Sequence, residues 1–115
     1  MTKKRIAEIY QFLSAARMSR MSDEEKIQLI RLLRQMKPVA TEFIEAMQDA
    51  VRQAQTNQVE NIQQFVDKAV SDLATEETTI LTAIMTPEAY DRLALSNDWT
   101  FAQIDELAEV MIKQD

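Results

Sequence analysis

The sequence contains no glycine, no histidine and no cysteine. Without glycine, tight left-handed turns fall to Asn, Asp or other residues at a steric cost. That argues against a hairpin-rich β-fold and for helices joined by short polar connections. The same absence removes every glycine-rich phosphate cradle, both the P-loop and the dinucleotide fingerprint. Lack of cysteine excludes disulfides and thiolate metal sites, and lack of histidine removes the usual acid–base residue and zinc or haem ligand. No apolar run approaches the roughly 20 residues that span a bilayer. The stretch Met1-Thr2-Lys3-Lys4-Arg5-Ile6-Ala7-Glu8 starts basic but has no apolar core and no small-residue cleavage site. The expectation is a soluble, cytoplasmic chain with no membrane association and no cofactor.

What is present fits a helical domain. The 115 residues are 46% hydrophobic, enough for one domain with a real core rather than a disordered chain. Charge is divided around Pro38. Residues 1–37 carry nine Lys/Arg against four Asp/Glu, a net of +5, and residues 38–115 carry four against fifteen, a net of −11. A basic third and an acidic remainder suggest a surface built to meet something, another copy of the chain included.

Along the chain, Ile6, Ile9, Tyr10, Leu13 and Ala16 recur at helical spacing and predict a helix over 3–18 with Thr2 as N-cap. Ser22-Asp23-Glu24-Glu25 is a capping box that opens a second helix to about Lys37. Its apolar set of Ile27, Leu29, Ile30, Leu32, Leu33 and Met36 covers a broad arc suited to two neighbours. Pro38 predicts a kink or a restart. The register Ala40, Ile44, Met47, Val51, Ala54 is out of phase with Val59, Ile62, Val66, Ala69, Leu73. The slip at 55–58, with Asn57 and Glu60 as a start signal, predicts an αα-hairpin, and a single long helix with a register skip is the alternative.

Residues 75–86 are rich in Thr and Ile and predict an extended connection or short strand. Thr86-Pro87 then caps a helix that ends near Asn97, the natural left-handed residue there. Thr100 and Gln103 form a second capping box, with Trp99 and Ile104 at the positions of a hydrophobic staple. The fold expected is all-α: a small helical bundle over 1–74 with an αα-hairpin, then the extended connection and a two-helix module over 75–115, together one compact domain.

Candidate sites are few. Glu42-x-x-Glu45 and Glu106-x-x-Glu109 place carboxylates one helical turn apart, a spacing that can hold Mg²⁺ in helical phosphohydrolases. In an acidic helical protein such pairs also arise as solvated surface, so no metal or catalytic residue is assigned. A helix-turn-helix over 87–113 would offer Gln103, Asp105, Glu106 and Glu109 to DNA, and phosphates would repel that helix. The residues assigned to partner binding are Lys3, Lys4, Arg5, Arg17, Met18, Arg20, Met21, Arg31 and Arg34. The arginines and lysines would grip an acidic surface, and the two methionines lie in a polar break where flexible thioethers suit a contact. Without interleaved aromatics the cluster would hold a nucleic-acid backbone but not read bases.

Ser22-Asp23-Glu24-Glu25-Lys26 leading to Lys37-Pro38-Val39-Ala40, and Ser96-Asn97-Asp98-Trp99-Thr100 leading to Gln103-Ile104, resemble small uncharacterised helical proteins of phage structural gene sets and related mobile elements. The resemblance implies an assembly or connector role, with a virion as the alternative location, and brings no functional residues. The function expected is a non-enzymatic structural protein acting through protein–protein contacts, its partner another protein or itself as a homo-oligomer. A regulatory module that binds nucleic acid by its basic helices, or mimics it by its acidic part, is the alternative.

Overall fold

Residues Met1–Lys113 are described by a computed structural model, and they form α1 (Lys3–Ser14), α2 (Asp23–Thr56), α3 (Ile62–Ala69), α4 (Ser71–Thr75), α5 (Pro87–Leu95) and α6 (Phe101–Met111). Among the described residues there is no strand, only isolated bridges between Thr2 and Glu77 and between Met85 and Ile112. The protein is all-α, as expected from the absence of glycine and the helical spacing of its apolar residues. No helix among these residues is long and apolar enough to cross a membrane.

The chain divides into two units, each built from two segments: Met1–Gln11 with Met36–Thr79, and Phe12–Gln35 with Ile80–Asp115. The sequence reading instead drew its line between residues 74 and 75. In the first unit a core of Ala7, Ala40, Phe43, Ala50, Val66 and Val70 is bordered by Tyr10, Ile44, Met47 and Leu73. Half of that core is alanine, so backbones approach closely around the one large ring of Phe43.

Pro38 neither ends nor restarts a helix; α2 runs through it for 34 residues. Proline there has no N–H for the carbonyl one turn back. Pro38 is exposed, so water can serve that carbonyl, while Met36 and Ala40 on either side are fully buried. Packing of this stripe outweighs the local preference to break.

The αα-hairpin is present, formed by the second half of α2 and α3. Its turn is a Schellman motif: Val59 N–H donates to the Ala54 carbonyl at 3.0 Å and Gln58 N–H to the Gln55 carbonyl at 3.2 Å. With no glycine available, Gln58 takes the left-handed position at φ 52°. Asn57 is used up in closing α2, so the N-cap of α3 is Asn61, whose Oδ1 accepts from Gln64 N–H at 3.0 Å. The inward face is Val66 and Val70 rather than Ile62 and Ala69, which are exposed. Residues 76–79 are extended: Lys3 N–H donates to the Glu76 carbonyl and Thr78 N–H to that of Met1, both at 2.9 Å.

The second unit buries Leu13, Met21, Leu29, Leu32, Met85, Tyr90, Leu93, Leu107 and Met111. The Ser22–Glu25 capping box is formed in both directions, at 2.9 and 3.2 Å. Thr86 caps α5 through Ala89 N–H, and Thr100 with Gln103 caps α6. The α1 helix stops at Ser14 rather than 18 because Asn97 captures the chain beyond it. Arg17 N–H donates to Asn97 Oδ1 at 2.7 Å and Asn97 Nδ2 donates to the Arg17 carbonyl at 2.9 Å. Asn97 therefore works by its side chain and not by a left-handed backbone. Trp99 stacks against Phe12, with ring centroids 4.9 Å apart. Residues 80–86 are extended, held by Thr82 Oγ1 donating to the Val110 carbonyl at 3.0 Å and Met85 N–H to that of Met111 at 3.0 Å.

Candidate protein-binding groove

A groove of about 710 Å³ opens between α1 and α2 in the first unit. Its origin is readable in the residues. On α2, Phe43, Met47 and Val51 fall four apart and make one apolar stripe, with Ile44 beside it. The α1 stripe that borders it is Lys4, Ala7, Glu8 and Gln11. None of these is a bulky apolar side chain, so nothing on α1 fills the space over Met47 and Val51, which stay half-buried. Lys4, Gln48 and Arg52 are exposed and stand at its edge. A second concavity of about 620 Å³ shares Lys4, Phe43 and Met47 and extends toward Val70 and Ala74. An apolar floor with a polar edge is the usual form of a groove that accepts an apolar side chain or a helix face.

The residues assigned from sequence are distributed differently from expectation. Lys3, Lys4 and Arg5 belong to the first unit; Arg17, Met18, Arg20, Met21, Arg31 and Arg34 belong to the second. Lys3 is engaged within the fold, its Nζ 3.0 Å from Glu76 and 3.2 Å from Glu42. The hydrogen bond that Lys3 Nζ donates to Glu76 leads in raising its pKa, so Lys3 is a structural cation. Arg5 pairs with Glu8 at 3.5 Å. Lys4 is exposed at the groove and has no ion-pair partner among the described residues. Met21 is only 5% exposed and packs in the core, which removes it from any contact surface; Met18 is half-buried. Arg17, Arg20, Arg31 and Arg34 are exposed, and Arg31 borders a shallow hollow with Leu81 and Lys113.

The charge division around Pro38 does not become a division between units. The first unit holds six Lys/Arg and nine Asp/Glu, the second seven and ten, so each is net −3. Basic residues from the first third meet acids from further along the chain inside each unit, as Lys3 does. Glu42, Glu45, Glu106 and Glu109 are all exposed, as their spacing implied. Among the described residues no group of three or more Asp or Glu is placed to hold a metal ion.

The remaining perturbed groups have structural causes. Arg92 holds Glu25 down to about 2, and burial, helped by Asp105 and Asp91, pushes Tyr90 up to about 12. Comparison with protein-family models, with curated proteins and with solved structures gives no match.

Proposed function

We propose that this chain is a non-enzymatic assembly protein that works by binding protein through the α1–α2 groove. The supporting observation is the groove itself: beside the buried Phe43, Met47 and Val51 stay half-buried because α1 offers only Lys4, Ala7, Glu8 and Gln11 along them. Leaving Met47 and Val51 half-exposed forgoes burial worth about 1–2 kcal/mol for each side chain. A partner recovers it. The resemblance to phage structural proteins fits this role and extends it to a connector between subunits.

Light scattering over a concentration series, at low and high salt, tests the reading. A mass that rises with concentration above that of one chain supports self-assembly. A constant single-chain mass up to millimolar concentration at both salts contradicts it.

One observation favours a second reading. Arg17, Arg20, Arg31 and Arg34 are exposed in the second unit with no side-chain ion pair among the described residues. They could hold an anionic polymer, although the unit as a whole is net −3. Titration against duplex and single-stranded nucleic acid at low salt decides: binding that weakens steeply with added salt supports it, and no binding ends it.

A further inference from the structure

We infer that the occupant of the groove is the start of α6 from a second copy of this chain, with Phe101 as the anchor; the inference rests on the assembly reading above. Phe101 is 80% exposed. It is the first residue of α6, and the capping box on either side of it fixes its backbone, through Gln103 N–H to Thr100 Oγ1 at 3.2 Å and Thr100 N–H to Gln103 Oε1 at 3.0 Å. A rigid backbone and a side chain with two torsions lose little entropy on docking, and an aromatic ring supplies a large contact area.

Charge complementarity selects this segment. Asp98 and Asp105 flank Phe101, both exposed, and Asp105 lies one turn on along the same face. The groove edge presents the Lys4 ammonium, unpaired among the described residues, Glu8, which Arg5 pairs, and, from α2, Arg52, which Asp49 on its own helix pairs. Docking brings the aspartates to the lysine while the ring settles on Phe43 and Met47, where ring–ring and sulfur–ring contacts are favourable. The volume of about 710 Å³ admits a phenyl ring and the first turn that carries it. The two surfaces differ, so each copy offers one groove and one anchor to its neighbours.

A complementation experiment tests this. Phe101→Asp keeps the groove and loses the anchor; Met47→Glu loses the groove and keeps the anchor. Each alone is expected to show self-association weakened at least tenfold. An equimolar mixture is expected to recover a species of two chains, because one intact groove meets one intact anchor. Circular dichroism melts establish that both variants are folded. If Met47→Glu is not, Lys4→Glu on the exposed edge replaces it. Self-association of the unaltered chain that Phe101→Asp leaves unchanged, or a mixture that stays at single-chain mass, overturns the inference while leaving the assembly reading intact. Absence of self-association in the unaltered chain overturns the assembly reading itself.

Discussion

Glu25 receives Arg92 across 67 positions of sequence: Arg92 Nε lies 2.9 Å from one carboxylate oxygen and 3.1 Å from the other. The same carboxylate accepts the Ser22 backbone N–H at 2.9 Å, so one side chain both caps α2 and ties it to α5. The pair has a consequence for acid stability. Arg92, with the Ser22 N–H adding to it, lowers the Glu25 pKa from 4.5 to about 2. The folded form therefore holds its carboxylate more tightly than the unfolded chain does. Stability from this group is fully present above pH 4.5 and is lost as pH falls toward 2. Urea melts of the native chain and Glu25→Gln, compared between pH 6 and pH 3, are expected to converge at the acid end. A gap between the two that does not narrow across that window contradicts the assignment.

Tyr90 shows the opposite sign. It is buried, its hydroxyl donates to the Ile104 carbonyl at 2.5 Å, and its pKa rises to about 12. The phenolate is disfavoured in the fold, so its contribution is present below pH 10 and lost between 10 and 12. Ultraviolet titration is expected to show Tyr90 ionising only as the pH approaches about 12. Tyr90→Phe leaves the Ile104 carbonyl without this donor and is expected to cost about 1–2 kcal/mol by denaturant unfolding. An unchanged midpoint would mean that the hydrogen bond contributes nothing.

Gln58 carries a side chain in a backbone region that favours glycine. Gln58→Gly relieves the clash at the Schellman turn and is expected to raise stability by about 0.5 kcal/mol, net of the entropy glycine adds to the unfolded chain. Gln58→Val, with a branched Cβ in the same place, is expected to lower it by about 1 kcal/mol or more. The order Gly above Gln above Val in thermal midpoint is the check; Val equal to Gly would refute the turn geometry.

Pro38 sits mid-helix with no N–H to donate. Pro38→Ala restores that bond to the Arg34 carbonyl and is expected to stabilise by about 1–3 kcal/mol, with unchanged helical circular dichroism. A loss of stability would show that the fold depends on a bend at this residue.

Which parts of this structure were legible follows from the range of the forces involved. Ser22, Thr86 and Thr100 each cap a helix through atoms three residues away, and local chemistry of that kind is printed in the sequence. The end of α1 was misread because Asn97, 80 residues on, decides it. Met21 looked like surface because it lies in a polar break, yet the fold buries it. The split of charge at Pro38 was real as a count, but Lys3 meets Glu42 and Glu76 within one unit, so it is no map of the surface. Met47 and Val51 were visible in the register Ala40, Ile44, Met47, Val51, Ala54. What made them a groove, the missing bulk at Lys4, Ala7, Glu8 and Gln11, becomes meaningful only when α1 is known to border that stripe.

The most direct test of the account is a methionine-methyl NMR dilution series on the full chain. Met47 lines the groove, whereas Met85 and Met111 are buried in the other unit. The Met47 methyl resonance is expected to move with concentration and to stop moving in Phe101→Asp, with Met85 and Met111 fixed throughout. A Met47 signal that stays in place while the chain self-associates would contradict binding through this groove.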